Sequence, residues 1–370
     1  TVWSAEPVAE LEDRLGWLAL PAVGEETLGD WIGFAAAESS FGLSRVVVLG
    51  MGGSSLAPEV FQRTFGVRDD FVLVLDSVHP DEIAAIERRL DLETTLFVVS
   101  SKSGTTIETR SLFDYFWRRV RESVSDPGRR FVAVTDPGSS LERLAAERQL
   151  HRVFTAPADV GGRYSALTAF GMVPAALAGV ELRGLMARSR LAAERLGSGG
   201  RRGREIGRLG AALGELALAG RDKLTLWTTA SIASFPVWLE QLIAESTGKE
   251  GAGILPVVDE SPLAVEEYTA DRVFVGLTVR GDEGELELAG HLDQLAASGH
   301  PVASIRLEDP LDLGFEIFRW EVAVGLAGAV MGINPFDQPD VQLAKRLAAA
   351  AMEGDESVAE ALTGMPRVGL

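Results

Sequence analysis

The stretch TLFVVSSKSGTT, residues 95–106, joins an apolar β-branched run to a cluster of hydroxyls around one lysine and one glycine. Thr95 to Val99 reads as a buried strand, and the long amphipathic segment after Thr106 reads as a helix. A strand would then deliver hydroxyls, free backbone N–H groups and the Lys102 ammonium to a helix start, where an anion is favoured. That is a phosphate cradle. It is not a Walker P-loop, which needs a glycine-spaced loop ending in Gly-Lys-Ser/Thr, and the nucleotide reading is disfavoured. The alternative is a capping loop with no ligand.

Around this stretch the chain alternates short β-branched runs with helical periodicity, the pattern of parallel βαβ units. The residues predict strands near 46–50, 71–76, 95–100, 131–135 and 152–155, with helices between them. The alternation resumes with strands near 223–229, 272–278 and 302–307 and helices near 235–246, 286–297 and 314–332. The expected class is α/β, with two parallel sheets flanked by helices in three layers. GSGGRRGR, Gly197 to Arg204, reads as a solvated loop between two helices, with an anion patch of three arginines as the alternative. A last helix is expected after Asp337, where GINPFDQPDVQLAK, Gly332 to Lys345, supplies turn residues and then a capped helix start at Asp340.

The 370 residues suggest two domains. At 46% hydrophobic residues and mean hydropathy +0.13 the chain is apolar, yet its longest apolar runs, near 165–180 and 322–336, are short and carry Gly or Pro. They read as helices buried on all sides. A net charge of −19 argues against nucleic acid and anionic membranes as partners, and an anionic ligand would require a locally basic site. Zero cysteines exclude disulfides and thiol catalysis, and four histidines make a His-rich metal site improbable. Neither a cofactor nor a metal is expected, and a cytoplasmic location is the parsimonious one. A chain that opens on Thr1 is expected to be processed or excerpted from something longer.

GMGGSS, Gly50 to Ser55, follows a strand and opens a helix, but it lacks the dinucleotide spacing. It reads equally as a tight turn or as a loop that a ligand approaches closely. In GGRYS, Gly161 to Ser165, Arg163 sits between a glycine pair and a helix start, suited to steadying an anionic intermediate or to pairing with a carboxylate. EQLIAESTGKEG, Glu240 to Gly251, places Gln241 and Glu245 four apart on one helix face while Trp238, Leu239, Leu242 and Ile243 pack inward. Glu245 ends that helix as a candidate base for a carbon-bound proton, or as an ordinary exposed carboxylate. Gln338 and Lys345 carry little weight alone, and His79, His151, His291 and His300 fall in no triad or metal motif.

GMGGSS, SSKSGTT, GGRYSALTAFG, EQLIAESTGKEG and GINPFDQPDVQLAK occur in the order and approximate spacing of the glucose-6-phosphate isomerase family, from about Leu15 to Ala348. Their wording most resembles the isomerase half of bifunctional transaldolase/glucose-6-phosphate isomerase proteins, with the transaldolase barrel missing. The resemblance implies two sugar-isomerase (SIS) subdomains, at 39–182 and 223–335. A helical lead-in at 1–38, a helical connector at 183–222 and a C-terminal helix at 336–370 complete the chain. It implies a sugar phosphate substrate, a homodimer and a transaldolase domain fused in a longer chain.

By the same resemblance Ser101, Lys102, Ser103 and Thr106 hold the phosphate, and Gly53 and Ser54 line the pocket. Arg163 steadies an enediolate, Glu245 moves the proton between C1 and C2, and Gln241, Gln338 and Lys345 contact the substrate. The family places a histidine downstream of the glutamate for ring opening, and Gly253 to Tyr268 contains none. General acid catalysis is worth about 100- to 10,000-fold, so a substitute is required. Lys345, a His79 or His300 brought in by the fold or by a neighbouring subunit, or a missing segment would have to supply it. The alternatives to a glucose 6-phosphate/fructose 6-phosphate isomerase are a non-catalytic sugar-phosphate-binding SIS module and an isomerase that also accepts mannose 6-phosphate.

Overall fold

Continuous β-branched runs form two sheets in the computed structural model, which describes residues 2–3, 10–249, 251–338, 347 and 350. The first sheet contains β1 (Arg45–Leu49), β2 (Val72–Leu75), β3 (Thr95–Ser100), β4 (Phe131–Thr135) and β5 (Arg152–Thr155), all parallel in the order β2-β1-β3-β4-β5. β1 and β3 are in register at Val47 and Phe97, and every residue of β3 and β4 is buried. Burial on both faces is why these strands read as unbroken apolar runs rather than as alternations. α1 (Glu25–Ser40), α2 (Leu56–Phe65), α3 (Pro80–Glu87), α4 (Ile107–Ser123), α5 (Ser140–Glu147) and α6 (Ala169–Ala178) accompany this sheet. All ten residues of α6 are buried, matching the helix expected near 165–180. Buried Glu38 of α1 accepts both Arg129 nitrogens at 2.9 Å and bonds to His151 at 2.9 Å, fastening α1 beside β5.

Two helices, α7 (Leu182–Gly197) and α8 (Gly200–Leu218), lead to the second sheet. Only Ser198 and Gly199 separate them, so the loop expected over 197–204 is corrected: the arginines and Gly203 belong to α8. The glycines there serve close packing. A Cβ on Gly210 would meet the Ala323 carbonyl oxygen at 2.1 Å, and one on Gly214 would meet Val330 at 2.8 Å, both on α11 (Leu313–Met331).

The second sheet is also parallel, in the order β7-β6-β8-β9, from β6 (Lys223–Thr228), β7 (Leu255–Val257), β8 (Arg272–Val279) and β9 (Val302–Leu307). α9 (Phe235–Thr247) and α10 (Glu285–Ala297) flank it, and α11 packs against α7, α8 and α9. β7 is an addition to the expected strands. Three residues with Pro256 at their centre carry no period of their own and survive only as an edge. The helix start expected at Asp340 lies outside the described residues, and no described helix is long and apolar enough to cross a membrane.

Candidate active site

In the first sheet the chain passes from β1 outward to β2 and then returns across to β3, so the loops after β1 and β3 flank a topological switch point. Ligands of open parallel sheets bind at such points. The two loops are GMGGSS and SSKSGTT. They open onto a cleft of about 570 Å³ whose lining includes Gly53, Ser54, Lys102, Ser103, Thr106, Arg163, Gln241, Glu245 and Gln338. These nine are sequence-predicted site residues, drawn from both halves of the chain.

Ser101 does not line that cleft; it is buried, accepting from the Gly104 N–H and donating to the Thr106 hydroxyl at 3.3 Å. It shapes the loop rather than facing the opening. Thr106 is the N-cap of α4, and its side chain caps no backbone N–H, which leaves that helix start available to an anion. Lys345 lies outside the described residues.

Two glycines let the halves meet. Gly52 adopts φ +55°, and a Cβ there would stand 2.6 Å from the Gln241 side-chain nitrogen. A Cβ on Gly53 would meet the Gly162 carbonyl oxygen at 2.3 Å. The β1 loop thus presses against both α9 and the turn that carries Arg163.

Arg163 belongs to a one-turn 3-10 helix, Gly162–Tyr164, and is 2% exposed. Its Nε donates to Ser246 Oγ at 2.7 Å, one Nη to Glu245 Oε2 at 3.4 Å, and the other Nη to the carbonyls of Pro335 at 2.6 Å and Asp337 at 3.0 Å. A guanidinium has five N–H groups, so one N–H on Nη1 is left after these four bonds. Beside it, Tyr164 packs between Trp17 and Phe336, and burial pushes its phenol up to about 12.

Glu245, about one-third exposed, is held by three donors. Gln241 reaches Oε1 at 3.2 Å, while Gln338 at 3.3 Å and Arg163 share Oε2. Gln338 is positioned by a clasp that sequence reasoning missed. Buried Lys249 donates to the carbonyls of Asn334 and Asp337 and to Asp337 Oδ1 at 2.5 Å, so Lys249 and Arg163 grip the same turn from two sides. Burial, followed by the nearby Arg163 charge, pulls the Lys249 ammonium below its ordinary value. Lys249 stands in the quoted motif EQLIAESTGKEG, but its partners lie 85 and 88 residues away, and no local pattern announces such contacts.

The electrostatics depart from expectation. Among the described residues, Arg14, Lys102 and Arg163 are the cations lining the cleft, against the carboxylates of Glu10, Glu108, Asp136 and Glu245. The described lining is therefore not basic overall, and its positive charge is confined to particular points. No histidine is among the lining residues described. His79 caps α3 at the surface, His151 bonds to Glu38, His291 packs on Trp227 and His300 packs on Phe274. The fold does not bring His79 or His300 to the cleft of its own chain.

The family model described as phosphoglucose isomerase matches residues 23–193. Across 92% of its length the chain is 30% identical to the glucose-6-phosphate isomerase of Rubrobacter xylanophilus, covering 90% of that protein. The chain belongs to the glucose-6-phosphate isomerase family. Its fold is similar to that of a hypothetical protein from Thermus thermophilus, with TM-score 0.82 and 26% identity over 92% of this chain and 90% of the other. It is also similar to that of a glucose-6-phosphate isomerase from Chlamydia trachomatis, with TM-score 0.72 and 21% identity over 92% and 73% of the two chains. In this chain the cleft joins a hydroxyl-rich loop at a helix start to a carboxylate held by an arginine and two glutamines.

Proposed function

We propose that the chain interconverts glucose 6-phosphate and fructose 6-phosphate through an enediolate, with Glu245 as the base. The observation that carries this reading is the Glu245 carboxylate, gripped by Arg163, Gln241 and Gln338 in the cleft that also opens onto the Lys102 loop. Lys102, Ser103, Thr106 and the α4 N–H groups receive the phosphate, with Gly53 and Ser54 alongside. A cleft of this volume lies in the range of small-molecule sites.

Glu245 removes a proton from C1 of the ketose and returns it to C2, while a second proton passes between O2 and O1. The remaining Arg163 N–H is the donor assigned to the charge that develops on the enediolate oxygens, fixed in place by its other four bonds so that it needs no reorganisation at the moment of reaction. Phosphate binding supplies energy remote from the reacting carbons.

A second reading, a sugar-phosphate-binding module without turnover, is favoured by one observation: no histidine lines the cleft among the described residues. Incubating the purified chain with fructose 6-phosphate in deuterated water separates the two. The proposed mechanism gives glucose 6-phosphate carrying deuterium at C2. Tight binding with neither conversion nor exchange would refute it in favour of the module.

A further inference from the structure

Lys102 does not wait free for a phosphate. Its Nζ lies 2.5 Å from Asp136 Oδ2 and 3.1 Å from the Ala158 carbonyl, to which Arg14 also donates at 3.1 Å. Asp136 follows β4, next to β3 in the sheet, and its backbone N–H donates to the Lys102 carbonyl at 3.1 Å, so the two loops are joined by backbone as well as by charge. The other carboxyl oxygen, Oδ1, is buried with no hydrogen-bond partner among the described residues. Asp136, Lys102 and Arg14 all line the cleft, where carboxylates outnumber cations among the described residues.

We propose that Asp136 is a built-in competitor for phosphate: it occupies the Lys102 ammonium in the ligand-free protein, and an incoming phosphate dianion must displace it. This rests on the reading of the Lys102 loop as the phosphate subsite. The consequence is an affinity-setting residue. Every phosphate dianion at this subsite meets the same displacement cost, so affinity is lowered for substrate, product and inorganic phosphate by one factor. Inorganic phosphate, with no sugar to bond along the Gln241 and Gln338 end of the cleft, falls first below the affinity needed to occupy the site. A product that shares the phosphate leaves faster for the same reason.

The test is calorimetric titration with inorganic phosphate, and separately with fructose 6-phosphate, at fixed pH and ionic strength. The proteins are the intact chain, Asp136→Asn, Lys102→Ala and the double variant. Asp136→Asn should tighten both ligands by a similar factor of about tenfold, at the lower end of what close charge pairs show in double-mutant cycles. That gain should vanish in the Lys102→Ala background. Asp136→Ser serves as a second uncharged variant should the asparagine fold poorly. If the uncharged variants instead weaken phosphate binding, Asp136 positions Lys102 for the ligand and the competitor proposal alone is overturned. If Lys102→Ala leaves phosphate binding unchanged, the subsite reading falls and the proposal falls with it.

Discussion

Glu245→Gln separates chemistry from structure unusually well at this site. The carboxylate accepts from Arg163 and Gln338 on Oε2 and from Gln241 on Oε1. A glutamine with its oxygen in the Oε2 position keeps the first two bonds. Its new NH₂ then faces Gln241, whose own Oε1 is buried without a hydrogen-bond partner among the described residues. Turning the Gln241 amide over lets it accept from that NH₂, and the number of unpaired groups stays constant. What is lost is the charge assistance of one 3.4 Å pair on a carboxylate about one-third exposed, worth about 1 kcal/mol or less. At roughly 2–4 °C per kcal/mol for a large domain, the melting temperature should fall by about 4 °C at most. The loss of the base should cut kcat by about 10²- to 10⁴-fold, or about 3–5 kcal/mol of barrier. The assays are coupled detection of fructose 6-phosphate conversion, proton exchange at C2, and calorimetric binding of the sugar phosphate, which should stay within about threefold. Turnover within tenfold of the parent, at unchanged KM, would refute Glu245 as the base. Glu245→Ala is the poorer experiment, because it releases three donors at once and confounds binding with catalysis.

Lys249→Met removes three bonds from the 334–337 turn; with Asp337 partly exposed and able to rehydrate, the expected cost is about 2–4 kcal/mol. Because that turn carries Gln338, kcat should fall by more than KM rises, and a lowered melting temperature with unchanged kcat would confine Lys249 to a structural role. Glu321 in α11 is fully buried with both carboxyl oxygens unpartnered among the described residues, and burial holds its carboxyl well above the ordinary 4.5. The folded chain therefore keeps a proton that the unfolded chain releases above pH 4.5. Stability should fall as pH rises from there to the raised value, by up to about 1.4 kcal/mol per pH unit. Glu321→Gln should flatten the melting-temperature profile between pH 5 and 8 and gain on the parent as pH rises, and parallel profiles would refute this. His79→Ala should cost about 1 kcal/mol through its cap on α3 and leave turnover within about twofold. A hundredfold drop would show that His79 acts in the site of another copy.

Strands buried on both faces were legible because nothing competes with their apolar runs, and the loops after β1 and β3 were legible because hydroxyls and glycines cluster there in the sequence itself. α8 was misread at its start for a physical reason. Glycine at 203 looks like a breaker locally, whereas the glycines farther along the same helix are the clearance that lets α11 approach, a fact of tertiary packing. The clasp and the competitor were invisible for a related reason. Lys249 gives no sign that it reaches Asp337, nor Asp136 that it sits on Lys102, until two distant segments are brought together. Gln241 and Glu245 were readable as a pair because a helix brings residues four apart together.

The contacts that hold the two halves together at the cleft also orient the Glu245 carboxylate, the proposed base. Arg163 belongs to the turn before α6, yet its four partners, Ser246, Glu245 and the carbonyls of Pro335 and Asp337, all lie in the second half of the chain. A fully buried guanidinium carries a large desolvation cost, offset here only because nearly every N–H is matched. Loosening the halves would strand that charge, so the geometry around Glu245 is fixed by the same free energy that holds the halves together. Flexibility, by this argument, belongs at the other end of the cleft. There Lys102 and Asp136 are only partly buried, and one carboxylate oxygen holds the ammonium while the other has no partner among the described residues. On the proposed assignment, a rigid Glu245 end and an exchangeable Lys102 end suit a reaction in which the atoms that react must not move and the phosphate must come and go.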